Sequence, residues 1–128
     1  GCKSCQLSVG ELKINNHLIN INIFPERQKK FSNCTNPNTG RSLPFDFYIS
    51  EYNLLIEYDG EQHYRPVAFN NHKNYIANYQ LTVIKDKIKT NYCRSRHINL
   101  LRIPYWDKHR IPELIDRKIK KIKQKALN

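Results

Sequence analysis

The stretch LPFDFYISEYNLLIEYDGEQHY, Leu43 to Tyr64, decides the fold. It reads as two strands joined by a tight turn, a β-hairpin. Side chains alternate between the two faces of a strand. Phe45, Phe47 and Ile49 therefore share one face and Asp46 and Tyr48 the other. In the second strand Leu54, Ile56 and Tyr58 share a face, opposite Leu55, Glu57 and Asp59. A turn centred on Tyr52-Asn53 pairs Glu51 with Leu54, and with them Asp46 with Asp59 and Tyr48 with Glu57. Directly paired residues lie on the same face. The three acids then point one way, and Phe45, Phe47, Ile56 and Tyr58 form the core-facing side.

Upstream of the hairpin, SVGELKINNHLININIF begins with Ser8 as a helix cap and Glu11 three residues later, the pattern of a capping box. Leu12, Leu18 and Ile19, extended by Ile14 and Ile21, form its apolar stripe. INIFPERQKKFSN holds the helix end and a first strand, and TNPNTG is a loop by composition. Downstream, YRPVAFNNHKN is loop-like. YIANYQLTVIKDKIKTNYCRSRH supports a helix through Tyr79, Val83, Ile84, Lys87, Ile88 and Tyr92. INLLRIPY is a short strand stopped by Pro104. IPELIDRKIKKIKQKALN is an amphipathic helix with Ile111, Leu114, Ile115, Ile119 and Ile122 on one side and lysines on the other. The order is αβββαβα. A helix between the third and fourth strands favours a crossover, so the expected fold is α/β (α+β), a mixed four-stranded sheet flanked by helices.

The 128 residues suit one compact domain with its own core, helped by eight tyrosines and five phenylalanines. No apolar run approaches the roughly 20 residues of a membrane span. No signal peptide is visible, so a soluble intracellular protein with no membrane partner is expected. The start, GCKSC, looks like a cut edge. The formal net charge of +11 suits a polyanion, because each phosphate contact releases condensed counterions. A merely soluble basic surface carries the same charge. The lysine-rich tail read alone is a solvated face.

Of the four cysteines, Cys2 and Cys5 have the spacing of half a zinc knuckle. A structural zinc needs four ligands, and Cys34 and Cys93 lie far away in sequence. Two readings stay open. Residues 1–7 are the remnant of an upstream zinc-type module, or Cys2 and Cys5 are isolated thiols. A disulfide scaffold does not fit a cored intracellular domain.

Like charges on one sheet face raise each other's pKa unless something neutralises them. A divalent cation does so, and carboxylate oxygens suit Mg²⁺ or Mn²⁺. Asp46 and Glu57 are the candidate ligands, with Asp59 beside them. The competing reading is a solvated sheet face tied to nearby lysines. Gly60 suits the strand exit. His63 then stands close to the acids, where a histidine serves as a general base or hydrogen-bonds phosphate.

These residues resemble the core of the PD-(D/E)XK nuclease superfamily. The similarity is strongest to its very-short-patch-repair-like branch, which includes phage homing endonucleases with an EDxHD signature. The resemblance runs from GELKINNHL to INLLRIPY. It implies a restriction-endonuclease-like fold and a catalytic domain over residues 8–128. It implies site roles for Glu11 on the first helix, Asp46 on the central strand and Glu57 on the next. His63 follows as the site histidine, and Asp86 in IKDKIK as the later acid. The superfamily usually has a Lys two positions after the third-strand Glu, where this chain has Asp59. Lys87 or Lys89 would then supply the positive charge, or its role would pass to Gln62 and His63.

The implied activity is Mg²⁺- or Mn²⁺-dependent hydrolysis of DNA phosphodiesters, with Asp46 and Glu57 on the metal, His63 assisting the water or leaving group, and Glu11 orienting water. Arg65, Lys73, Lys118 and Lys121 would contact phosphates of double-stranded DNA, positioning it without reading sequence. A homodimer on DNA stays open. For a phage- or virus-encoded chain, the resemblance places the protein in the host cytoplasm. Two alternatives compete: a non-catalytic nucleic-acid-binding domain on the same fold, and a zinc module on Cys2, Cys5, Cys34 and Cys93. A pure phosphate binder gains nothing from a carboxylate cluster, which repels DNA unless a cation is present.

Overall fold

A computed structural model describes residues 6–67 and 74–127. Cys2, Cys5 and Lys73 lie outside the described residues. The chain forms helix α1 (Val9–Asn20), strands β1 (Glu26–Lys29), β2 (Phe45–Ile49) and β3 (Leu54–Asp59), helix α2 (Tyr75–Arg96), strand β4 (Asn99–Pro104) and helix α3 (Ile111–Ala126). Short 3₁₀ turns follow β2 (Ser50–Tyr52), β3 (Glu61–His63) and β4 (Tyr105–Arg110). The sheet order is β1-β2-β3-β4. The first two pairings are antiparallel and β3–β4 is parallel, across the α2 connection. The expected order and the mixed four-stranded sheet flanked by helices are what the chain adopts. No helix among the described residues is long and apolar enough to cross a membrane.

Both faces of the sheet are covered. On one face Phe47, Ile49, Leu54, Ile56 and Ile103 pack against Ile14 and Leu18 of α1 and Ile111, Ile115 and Ile119 of α3. On the other, Leu55 and Phe45 meet Cys34, Leu43 and Cys93, with Ile88 and Tyr92 of α2 alongside. This explains β3, which is almost wholly buried and is apolar on both sides at Leu54, Leu55 and Ile56. β1, with sequence ERQK, is the edge strand, and its charges discourage pairing with another chain.

The α3 stripe is as expected, with Ile111, Ile115 and Ile119 buried and Leu114 and Ile122 packed against the core. Capping of α1 is also as expected: the Ser8 hydroxyl accepts from the Glu11 N–H at 3.1 Å, and Glu11 Oε1 accepts from the Ser8 N–H at 3.3 Å. Its buried stripe differs. Gly10, Ile14 and Leu18 face the sheet, whereas Leu12 and Ile19 are exposed. Gly10 sets this rotation, because a Cβ there would collide with the Tyr58 ring. Only glycine lets the start of α1 lie so close to β3.

The hairpin register also differs from the expected one. Ile49 pairs with Leu54, Tyr48 with Leu55 and Phe47 with Ile56. Asp46 is therefore not opposite Asp59, nor Tyr48 opposite Glu57. The loop holds four residues, Ser50 to Asn53, rather than two. Asn53 takes a left-handed conformation (φ 46°) that asparagine tolerates. Its side chain accepts from the Tyr48 hydroxyl at 2.9 Å. A shift of two residues preserves the alternation of faces, so Asp46 still neighbours Glu57. Phe45 leaves the side occupied by Phe47 and Ile56 and joins the cluster under α2. The pairing ends at Phe47 and Ile56, and beyond that point acidic side chains replace main-chain partners.

Candidate active site

The site forms where β2 and β3 part. Asp46 Oδ2 accepts from the Tyr58 N–H at 2.8 Å, and Glu57 Oε2 accepts from the Asp46 N–H at 3.2 Å. Each carboxylate thus stands in for a carbonyl that the ladder would have supplied, and each is fixed by the backbone of the opposite strand. The two carboxyls are within hydrogen-bonding reach of one another. Burial, then the neighbouring Glu57, then Glu11 push Asp46 up to about 8, while the Tyr58 N–H pulls the other way. Asp46 therefore holds its proton more tightly than an ordinary carboxyl.

α2 provides the positive charge. Lys89 Nζ lies 2.5 Å from Glu57 Oε1 and 5.2 Å from the centre of the Phe45 ring. Of the candidates for the missing lysine role, Lys89 is the one brought to the pair. Lys87 instead lines a groove of 340 Å³ with His63, Val83, Asp86, Thr90, Asn91 and Arg94. Gln62 is exposed and its amide lies over Gly60.

A second group adjoins the first. His63 Nδ1 lies 2.8 Å from Asp86 Oδ2 and 3.7 Å from Asp59 Oδ1. Burial alone would lower the His63 pKa, but the hydrogen bond and charge of Asp86, with Asp59 and Glu57 behind it, raise it above its ordinary value. Asp59 is raised by burial, against the opposing pull of Arg102 and His63. Arg102 Nη1 contacts Asp59 at 3.2 Å, and its Nη2 donates to the Asp86 carbonyl at 3.0 Å and to Thr90 Oγ1 at 3.2 Å. Asp59 is thereby committed to an internal ion pair. Arg102 was not among the expected site residues. Its signal in the sequence is a single cation inside the apolar strand LLRIP, directly beside Glu57 in the β3–β4 register.

Glu11 sits at the margin. Its carboxylate closes the capping box, lies 3.8 Å from Arg27 and is near enough to influence Asp46. Arg65 forms an ion pair with Glu61 next to the site. Lys118 and Lys121 line a different groove, with Leu101, Leu114 and Arg117. Cys34 and Cys93 are buried thiols in the core under α2, both raised by burial, Cys93 to about 11. Among the described residues no three His, Cys, Asp or Glu side chains are grouped as metal ligands. A tetrahedral zinc requires such a group, whereas Mg²⁺ keeps several waters and takes one or two carboxylates plus substrate phosphate. The Asp46–Glu57 pair fits the second kind of cation by the hardness and number of its oxygens.

Three viral proteins are similar to the chain. It is 36% identical to Uncharacterized protein 094L of Frog virus 3 (isolate Goorha) over 70 residues, 55% of this chain and 44% of that protein. It is 35% identical to Uncharacterized protein 033L of Invertebrate iridescent virus 3 over 86 residues, 64% of this chain and 40% of that protein. It is 31% identical to Uncharacterized protein 307L of Invertebrate iridescent virus 6 over 84 residues, 65% of this chain and 41% of that protein. The chain thus spans less than half the length of these relatives. No family model matches it. No solved structure matches it either.

Proposed function

We propose that the chain is a metal-dependent DNA endonuclease domain that hydrolyses phosphodiester bonds, of the PD-(D/E)XK kind that its hairpin resembles. One observation carries the reading: a carboxylate pair, half-buried Asp46 and buried Glu57, touched by Lys89 and set beside a His63–Asp86 hydrogen bond of 2.8 Å. An ordinary solvated face does not bury like charges against each other, because the desolvation cost is not recovered. A site that must bind a cation does.

Asp46 and Glu57 would hold Mg²⁺ or Mn²⁺, which when bound neutralises charge on a phosphate oxygen and acidifies water. The chain's own groups do the rest. The main-chain N–H groups of Asp46 and Tyr58 fix the two carboxylates. Lys89 orients Glu57 and offers a positive charge to the phosphate as it gains negative charge. His63 donates from Nδ1 to Asp86, which leaves Nε2 to take the proton of the attacking water. The phosphorus–oxygen bond then breaks and the leaving oxygen is protonated from solvent or from His63. Arg102 keeps Asp59 and Asp86 in place, so Asp59 fills the usual lysine position without opposing the reaction. The relatives are viral proteins, which is compatible with action inside an infected cell; the DNA substrate rests on the site and the resemblance alone.

The test is incubation with plasmid DNA, with and without Mg²⁺ or Mn²⁺, beside Asp46→Ala. Cleavage should need the cation and be absent in the variant. A wild type that binds DNA and never cuts it with either cation would reassign the domain to nucleic-acid binding alone.

A further inference from the structure

The chain's single tryptophan is spent on the surface. Trp106 is 55% exposed, and Tyr64, 40% exposed, lies against it with ring centres 4.6 Å apart. Tyr105 completes the group, at 6.0 Å from Tyr64 and 5.3 Å from Trp106. Large aromatic rings are the side chains that gain most from burial. A cluster serving only to pack would turn its rings inward, and this one leaves Trp106 and Tyr64 open to solvent.

The cluster adjoins the acidic site. Tyr64 follows His63, and its hydroxyl reaches Asp59 Oδ2 at 3.5 Å. Tyr105 follows Pro104, which lies beside Asp59 in the β3–β4 register. Basic residues lie near it in the chain. Arg65, ion-paired with Glu61, follows Tyr64, and beyond Trp106 and Asp107 the residues Lys108 and His109 line a groove of 450 Å³ with Lys13, Asn16, His17 and Asn20 of α1. Flat apolar faces near groups that attract phosphate match one ligand chemistry, a nucleobase carried on its own backbone.

We infer that Trp106 and Tyr64 form a stacking platform for an unpaired base next to the scissile phosphate. The preferred substrate is then DNA containing unpaired nucleotides, such as a bulge, flap or single strand, rather than a continuous duplex. A base inside a duplex has both faces covered by its neighbours and cannot stack on a protein ring without leaving the stack, which costs energy. The inference rests on the nucleic-acid reading above and specifies the substrate of that same site.

Trp106 is its own reporter, because no other tryptophan contributes to the emission. Intrinsic fluorescence of the protein, with EDTA present to prevent cutting, is titrated with three oligonucleotides: a single strand, a duplex with one bulged nucleotide, and the same duplex fully paired. Binding is followed in parallel by anisotropy of a dye on the DNA. The single strand and the bulged duplex should quench Trp106 and the paired duplex should not. Trp106→Ala should weaken the first two by about tenfold, a typical value for one stacked base, and leave the paired duplex within about twofold. Trp106→Phe should restore most of the loss. Thermal melting of Trp106→Ala, expected close to wild type for so exposed a ring, excludes misfolding as the cause. Quenching by all three DNAs alike, or binding without any change in emission, overturns the platform and leaves the endonuclease reading standing. Failure of all three to bind overturns the platform, and the endonuclease reading is then decided separately by plasmid cleavage with Mg²⁺ or Mn²⁺.

Discussion

Asp46 carries a cost that is visible at a single residue. Its folded pKa of about 8 stands above the ordinary 3.8, so between those pH values the folded state binds more protons than the unfolded one. Unfolding free energy must then fall as pH rises from about 4 to about 8. Asp46→Asn removes this titration. The variant should be more stable than wild type at pH 8, by on the order of a few kcal/mol, and should show a flatter pH profile. Urea denaturation at pH 5 and pH 8 measures both. Mg²⁺ should raise the wild-type midpoint at pH 8 and leave the variant unmoved, since the cation replaces the retained proton. A wild type whose stability is flat over this range would mean that the carboxylates are not forced together. His63 has the same sign from a different cause. Its charged form is favoured by Asp86, so the stability it adds is fully present below pH 6.5 and disappears as pH rises through its elevated folded pKa. In Asp86→Asn, burial is left with less to oppose it. The His63 midpoint followed by NMR should therefore move down, and an unchanged midpoint would separate the two residues.

At the level of elements, the close contact between α1 and β3 depends on Gly10. Gly10→Ala drives a methyl group into the Tyr58 ring, and overpacking of this kind costs about 1–3 kcal/mol. It also swings Glu11 away from Asp46. Urea unfolding should show the loss of stability, and cleavage should fall further than the stability loss explains. Full activity in a destabilised variant would detach Glu11 from the site. The same elements show what could be read in advance. The alternation of FDFYI and LLIEYD placed Asp46, Glu57 and Asp59 together because period two is local. The register could not be read, because it depends on Asn53 entering a left-handed conformation and lengthening the loop to four residues. Arg102, and the choice of Lys89 over Lys87, were out of reach for another reason. The two side chains arrive from α2 and β4, and only the packing of α2 over the sheet shows which of several lysines meets Glu57. The Cys34–Cys93 neighbourhood is of the same non-local kind.

Over the whole molecule, 22 basic residues against 11 acidic ones meet a site whose own residues are largely acidic. The fold separates the two. The acids are turned inward against Lys89 and Arg102, while Lys13, Lys87, Arg94 and Lys108 line the grooves around them. A polyanion is therefore attracted by the surface and opposed only at the site itself. If about four phosphates are neutralised, each contributing a slope of roughly −0.9 in log–log coordinates, affinity for DNA should drop on the order of a hundredfold between about 50 and 200 mM salt. Asp46→Asn should leave that slope unchanged, because Asp46 releases no counterion from DNA, and should shift the whole line toward tighter binding in EDTA, because one negative charge facing the phosphates has gone. Lys87→Ala with Arg94→Ala should do the reverse, lowering the slope by roughly two and weakening DNA of any sequence alike. Fluorescence anisotropy at four salt concentrations separates slope from intercept. A slope near zero in the wild type would make the +11 charge irrelevant to DNA, and a slope unaffected by the double substitution would move the phosphate path off the α2 groove.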